Sequence, residues 1–374
     1  MKVLLLSAYA AQSHVHWQRT LQAMFPQWQW QILSLPPRYF SWRVRGNPLY
    51  WAMAERPVLE EHYDLLIATS MVDLATLRGL VPALAGLPSL LYFHENQFDY
   101  PSPRQQHGLL EAQMVSLYSA LAADSLLFNS AYNRDTFLTG TQTLLDKLPD
   151  RVPAGVVAVL RDKSAVLPVP LELQEQAPRW PGQSGEFPAR PLRLVWVGRF
   201  EHDKGGNLLL SILSLLEKDA THYELAVVGQ QFRSTPDVYR QIAHQFDHRI
   251  VQFGYVESAA DYRALLRAGD IVLSTARHEF QGLAVMEAVA GGCLPVVPNR
   301  QAYPEIYPAA YCYPSHPEDP EREARAAADL IRELAPQLAG AGVQVPDVSR
   351  FSRQQLAPRY RDAFMALVSA QDSN

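Results

Sequence analysis

Two short stretches carry residues whose types and spacing suit chemistry on a phosphorylated ligand. In V-G-R-F-E-H-D-K-G-G, residues 197–206, Arg199 and Lys204 fall in a turn between an apolar run and the helical pattern N-L-L-L-S-I-L-S-L-L-E-K. Two cations at a helix start suit a diphosphate, because the free N–H groups there already favour an anion. Gly205 and Gly206 let backbone come close to a ligand. A helix start with solvated charges is the alternative on these residues alone. In S-T-A-R-H-E-F-Q-G-L-A-V-M-E-A-V-A-G-G-C, residues 274–293, Glu279 and Glu287 lie eight positions apart. Gly282 and Leu283 are expected to open a helix, with the N–H groups of Gly282, Leu283 and Ala284 toward phosphate. Glu279 then sits in the preceding loop, in reach of a sugar hydroxyl. Glu287, among Val285, Met286, Ala288 and Val289, is a carboxylate in apolar company, costly unless it has a partner. A ribose diol is one such partner, and a solvated helix position is the alternative.

Two further clusters stand in the first half. The run L-L-Y-F ends in H-E-N-Q-F-D-Y-P, so that His94, Glu95, Asn96, Gln97 and Asp99 follow a buried strand at once. Lining a ligand cleft and simply capping a loop are both open for His94 and Glu95. In P-P-R-Y-F-S-W-R-V-R-G-N-P-L-Y-W, residues 36–51, Arg38, Arg43 and Arg45 alternate with Tyr39, Phe40, Trp42, Tyr50 and Trp51. Arginine neutralises phosphate and aromatics stack on unpaired bases, so the segment suits an RNA loop. A buried aromatic cluster with solvated arginines is the alternative.

These residues have to be positioned by a scaffold, and its pattern is regular. K-V-L-L-L-S-A, Q-W-Q-I-L-S-L, D-L-L-I-A-T-S, P-S-L-L-Y-F-H and D-S-L-L-F-N-S read as five strands with amphipathic segments between them. L-R-L-V-W-V-G-R, Y-E-L-A-V-V-G, R-I-V-Q-F-G, D-I-V-L-S, C-L-P-V-V and A-A-Y-C-Y-P repeat the theme after residue 190. Strand alternating with helix predicts parallel sheets covered on both faces, and runs without polar alternation fit such strands. Residues 167–191 are rich in Pro, Gly, Gln and Glu without helical period, and read as a linker. The expected division is one α/β domain over 1–166, the linker, and a second α/β domain over 192–350. The helix at 351–370 is expected to cross back to the first domain.

The bulk numbers set limits. The chain has 374 residues and a net charge of −5, which suits about two globular domains and argues against a broad nucleic-acid footprint while allowing a local basic patch. No apolar run approaches the ~20 residues of a bilayer span. The N-terminal V-L-L-L is too short for a signal peptide. Cys293 and Cys312 have no C-x-x-C partner and read as reduced residues of a cytoplasmic protein.

The E-x7-E element after a GR…KG turn resembles the retaining GT-B glycosyltransferases that use nucleotide sugars. That resemblance implies two Rossmann-like domains with parallel sheets facing a central cleft, the first (1–166) binding the acceptor and the second (192–350) the nucleotide sugar. It implies that Arg199 and Lys204 hold the diphosphate, Glu279 the donor sugar and Glu287 the ribose, with Gly254, Tyr255 and Val256 bordering the base. His94 would reach the sugar or the leaving oxygen. H-E-N-Q-F-D-Y-P, I-A-T-S-M-V-D-L-A-T-L-R-G-L, L-F-N-S-A-Y-N-R-D-T-F-L and the aromatic–arginine segment are further similar to the tRNA-queuosine mannosyltransferase family. That likeness implies transfer of mannose from GDP-mannose to the cyclopentenediol of queuosine in the anticodon of tRNA-Asp. It assigns Arg38, Trp42, Arg43, Arg45, Glu95, Asn96, Gln97 and Asn129 to the acceptor, and Ser13 to the donor. The first loop departs from the family's Gly-Gly-Ser-His turn, reading Ala10-Ala11 followed by Gln12, Ser13 and His14.

The implied mechanism is a front-side displacement, with Glu279 a positioning residue. No tightly bound cofactor is expected, and the absence of an Asp-x-Asp motif leaves no resident metal expected, though Mg2+ on the nucleotide fits the scheme. A GT-B enzyme with another donor and a non-tRNA acceptor, a sugar-nucleotide epimerase and a non-catalytic binding module are the rival readings.

Overall fold

The computed structural model describes residues 1–99, 108–173, 176–232, 235–339 and 344–371. The chain divides into two compact units, Met1–Pro170 with Arg353–Asn374, and Leu171–Ser352.

Unit 1 is built on six parallel strands: β1 (Lys2–Ser7), β2 (Gln29–Ser34), β3 (Leu65–Thr69), β4 (Ser89–Phe93), β5 (Ser125–Phe128) and β6 (Ser164–Val166), in the order β2-β1-β3-β4-β5-β6. Every residue of β3 and β4 is buried. That is why these strands read as unbroken apolar runs, since a parallel sheet is covered on both faces. Helices α1 (Gln12–Met24), α2 (Phe40–Ala54), α3 (Leu74–Leu80), α4 (Leu109–Ala122) and α5 (Ala131–Leu145) pass between strands.

Pro48 lies inside α2. It has no N–H to give the carbonyl one turn back. Asn47 supplies the missing donor: its Nδ2 lies 3.0 Å from the Val44 carbonyl and 2.7 Å from that of Arg43. Its Oδ1 accepts from the Asp73 N–H at 3.2 Å, which ties α2 to the start of α3.

Unit 2 repeats the plan with β7 (Leu192–Val197), β8 (Tyr223–Val228), β9 (Ile250–Gly254), β10 (Ile271–Leu273), β11 (Leu294–Pro298) and β12 (Cys312–Tyr313). The order is β12-β11-β10-β7-β8-β9, again all parallel. Helices α6 (Gly206–Lys218), α7 (Ala259–Ala268) and α8 (Leu283–Gly291) carry the residues of interest.

All eleven apolar runs expected to be strands form strands; the twelfth, β6, is three residues long with an exposed centre and leaves no periodic signal. The segment expected as a linker is not a free tether. Residues 167–170 belong with unit 1 and the rest with unit 2. Trp180 Nε1 donates to Glu224 at 2.6 Å, and Arg190 forms a two-point ion pair with Asp270 at 2.6 and 2.8 Å. The C-terminal helix Arg353–Gln371 belongs to unit 1, where Tyr360 Oη accepts from Trp17 Nε1 at 3.0 Å and donates to the Pro168 carbonyl at 3.0 Å. Both cysteines are free thiols. Among the described residues, no helix is long and apolar enough to cross a membrane.

Candidate active site

The expected phosphate turn of unit 2 follows β7. Gly205 caps α6 with φ +70°, and a Cβ there would collide with the Thr275 carbonyl. Only glycine meets both demands. Thr275 is the hub of this turn: its Oγ1 donates to the Lys204 carbonyl at 2.8 Å and accepts from Trp196 Nε1 at 2.9 Å.

Lys204 points its ammonium at Glu279 Oε2 at 2.9 Å, at the His278 carbonyl at 3.2 Å and at Asp203 at 3.3 Å. Burial pulls the ammonium down, but Glu279 and Asp203 outweigh it and hold Lys204 above its ordinary value. For Glu279 burial pushes the carboxyl up, and Lys204 with the Gly282 N–H brings it below the usual range. The pair is therefore ionised on both sides. Gln301 braces the Glu279 loop: its Oε1 accepts from the Glu279 N–H at 2.7 Å and its Nε2 donates to the Arg277 carbonyl at 2.8 Å. Arg199 is half-exposed and pairs with Glu201 at 3.1 Å.

Gly282, at φ +75°, caps α8, as its position before Leu283 predicts. Its N–H is turned to the Glu279 carboxylate, which revises the expectation that it faces phosphate. Leu283 and Ala284 form the first turn and are half-buried. Glu287 is half-buried on α8, and Tyr262 of α7 donates to its Oε2 at 3.1 Å. The carboxylate has a protein partner, as its apolar neighbours require. Gly254 ends β9 at φ +94° and its carbonyl accepts from the Gly229 N–H at 3.1 Å; Tyr255 beside it is exposed. Val256 is half-buried.

In unit 1 the polar cluster after β4 is a hydrogen-bonded plug. Asn96 is buried; its Nδ2 donates to Asn133 and Thr136, and its Oδ1 accepts from the Phe98 and Asp99 N–H groups at 2.9 and 3.2 Å. Asn129 donates to the His94 carbonyl at 2.8 Å and accepts from Asn133 at 2.7 Å. Gln97 is buried beside Met71. Asn96, Gln97 and Asn129, expected on the acceptor, thus hold the strand end in place. A chain leaving a buried strand must satisfy its backbone inside the protein, and the Asn96 and Asn129 amides do it.

His94 and Glu95 differ from them. His94 stacks on His14 of α1 with centroids 4.0 Å apart, and His14 Nε2 lies 3.2 Å from Glu95 Oε2. Burial, then His14 and His16, hold His94 well below its ordinary pKa, so it is neutral. Glu95 is more open than His94, Asn96 or Gln97. Ser13 lies half-buried in the first turn of α1. Tyr100 and Pro101 fall outside the described residues.

On α2, Trp42 is exposed and Arg43 half-buried. Arg45 is paired with Asp73 and Glu111. Arg38 precedes the helix with its guanidinium 5.7 Å from the Tyr39 ring centre. The aromatic segment is therefore split. Trp51 is in the core, while Tyr39, Trp42 and Tyr50 face outward.

Sequence reasoning missed Asp203, Thr275, Gln301 and Tyr262. Each acts through a contact with a residue distant in the chain or through a turn that only the fold closes, so none leaves a local pattern.

Two six-stranded parallel sheets, a glycine-capped turn with a half-buried lysine, and two glutamates, one before and one on a second capped helix, define a glycosyltransferase of the GT-B class. Solved structures agree on the fold. An Anabaena protein, HepE, in complex with UDP matches with TM-score 0.66 at 13% identity, over 98% of this chain and 100% of that one. The sucrose-phosphate synthase of Thermosynechococcus elongatus matches with TM-score 0.66 at 14% identity, over 100% and 98%. Residues 191–333 match the family described as glycosyl transferases group 1, and residues 2–171 the one described as tRNA-queuosine alpha-mannosyltransferase N-terminal. The tRNA-queuosine alpha-mannosyltransferase of Drosophila melanogaster is 34% identical over 288 residues, 76% of this chain and 75% of that protein. The chain belongs to the tRNA-queuosine alpha-mannosyltransferase family, and it is a hexosyltransferase.

Proposed function

We propose that the protein transfers mannose from GDP-mannose to the cyclopentenediol of queuosine in the anticodon of tRNA-Asp, with retention of configuration. Family membership supports the acceptor, and the ionised, half-buried Lys204–Glu279 pair carries the donor reading.

In this reading unit 2 takes the donor. Arg199 and Lys204 hold the diphosphate, and a phosphate oxygen replaces Asp203, the longest of the three Lys204 contacts. Glu279, fixed by Lys204 and Gln301, accepts from a sugar hydroxyl. Glu287 takes the ribose, the Leu283 and Ala284 N–H groups face phosphate, and Gly254, Tyr255 and Val256 border the base. The bond from the anomeric carbon to the diphosphate breaks as the bond to the acceptor oxygen forms on the same face. The acceptor's proton passes to the departing diphosphate, whose growing charge the two cations stabilise. Neutral His94 orients the sugar as a hydrogen-bonding ring. Ser13 borders the donor, while Glu95 and the α2 residues Trp42, Arg43 and Arg45, with Arg38 just before the helix, serve the acceptor.

A donor panel tests this. Queuosine-containing tRNA-Asp is incubated with the protein and GDP-mannose, GDP-glucose, UDP-glucose or UDP-galactose, then digested to nucleosides for mass spectrometry. Queuosine is expected to gain one hexose with GDP-mannose alone, removable by an α-specific mannosidase. A hexose gained from a UDP-sugar, or resistance to that mannosidase, contradicts the donor or the stereochemistry.

A further inference from the structure

The outward face of α2 combines features that packing does not explain. Tyr39 adopts φ +55° at the helix N-cap. That conformation costs a bulky residue free energy and persists only where something holds it. Yet Tyr39 is 71% exposed, so burial of its ring does not offset the strain. What the conformation achieves is presentation: the ring stands in solvent with the Arg38 guanidinium 5.7 Å from its centre.

One turn on, Trp42 is 56% exposed. Its indole lies down against the helix at Gly46, where any Cβ would collide with the ring. A side chain four residues later covers the same helix face, so glycine at 46 is what leaves the indole flat and open. Glycine inside a helix is destabilising relative to alanine. An exposed tyrosine held by a strained backbone and an exposed tryptophan held by a helix glycine are two preset aromatic faces. Tyr50 and Met53 continue the same outward surface at 46% and 77% exposure.

The segment that carries these faces is short of acid. The chain carries net −5, but its first acidic residue is Glu55. Residues 1–54 hold Lys2, Arg19, Arg38, Arg43 and Arg45 and no carboxylate side chain. Arg45 is neutralised by Asp73 and Glu111 across α2. Arg38 and Arg43 have no ion-pair partner among the described residues, and the Arg43 Nε is buried without a hydrogen bond. Flat aromatic faces flanked by unpaired guanidinium groups match a single-stranded nucleic acid, whose bases stack and whose phosphates need cations. A second copy of this chain would bring the same positive charge against itself.

We propose that Tyr39 and Trp42 form a two-base stacking platform for unpaired anticodon-loop nucleotides, with Arg38 and Arg43 on the adjoining phosphates. This rests on the tRNA reading of the acceptor and adds the way the loop is gripped.

The test uses the full chain, an unmodified RNA hairpin of the tRNA-Asp anticodon stem and loop, and a blunt duplex of the stem alone. Trp42→Ala and Tyr39→Ala are expected to weaken hairpin binding by about five- to 150-fold each, the range of base–aromatic stacking. Trp42→Phe should recover most of that loss. Gly46→Ala, which keeps both aromatics but lifts the indole, should also weaken it. GDP affinity and the slope of log Kd against log salt should not move in these variants, whereas Arg38→Ala should lower that slope by about one. Tyr39→Gly should weaken hairpin binding without lowering the melting temperature, since it removes strain and no packing. Hairpin binding equal to wild type in Trp42→Ala and Tyr39→Ala overturns the platform and leaves the tRNA reading standing. A wild-type dimer in sedimentation that Trp42→Ala dissociates also overturns it, assigning the face to self-association. Wild-type protein that binds neither hairpin nor intact tRNA removes the tRNA reading, and the platform with it.

Discussion

In the proposed donor site, Lys204 is the residue on which diphosphate binding turns. Its charge is secured by two carboxylates against the pull of burial, so it is available at any working pH. Lys204→Ala is expected to lower kcat/KM by about 10²–10³-fold, as for removal of one preorganised group that stabilises developing charge. The circular dichroism spectrum should not change, and near-normal turnover would remove Lys204 from the mechanism. Tyr262 is a positioning residue: it fixes the Glu287 carboxylate, and burial together with that carboxylate keeps its phenol protonated far above neutrality. Tyr262→Phe loses one hydrogen bond, worth about 0.5–1.5 kcal/mol. KM for the donor should therefore rise several-fold with kcat unchanged. A change confined to kcat would contradict a ribose role for Glu287.

At the scale of elements, the ends of strands do the work, and their chemistry was only partly readable. Arg199, Lys204, Glu279 and Glu287 could be picked out as candidates because each lies within a few residues of a glycine that starts a helix. Thr275 and Gln301 could not, because they meet Lys204 and Glu279 only when β10 and the loop after β11 are laid beside β7. H-E-N-Q was readable only in part: four polar residues in a row suggest a ligand, and the fold adds that Asn96 and Gln97 are buried while Glu95 stays partly open.

The end of β4 also carries a pH dependence. Burial, then His14 and His16, depress His94, and Glu95 faces the His14 side of the stack. A depressed histidine binds a proton more readily in the unfolded chain. Stability is therefore fully present above the unfolded value of 6.5 and falls as pH drops from there toward the folded value. The melting temperature should fall between pH 7 and pH 5 by less in His94→Asn than in wild type, on the scale set by histidine's ordinary titration range. Equal slopes would show that His94 takes up its proton without cost to the fold.

For the whole molecule, two parallel sheets and their strand runs were legible because parallel strands are buried on both faces. Membership of segments in the units was not. The proline-rich stretch after residue 170 looks like a tether by composition, yet Trp180, Gln183 and Arg190 fasten it to unit 2. The C-terminal helix closes unit 1 through Tyr360, whose hydroxyl links Trp17 to the Pro168 carbonyl. Deleting residues 353–374 leaves those buried groups without partners and uncovers Trp17 and Phe25, each unmade hydrogen bond costing about 1–3 kcal/mol. Such a chain is expected to be insoluble or to lose the cooperative melting of unit 1; a sharp, unshifted transition would contradict this account of the helix.

The central claim concerns the chain as an enzyme on tRNA, and a boronate gel reads it directly. The free cis-diol of queuosine retards tRNA-Asp on such a gel, and glycosylation of either hydroxyl removes the retardation. Incubation with the protein and GDP-mannose is predicted to convert the retarded band to the unretarded one, and omission of either should leave it in place. Retardation that persists with active, GDP-binding protein would contradict queuosine as the acceptor.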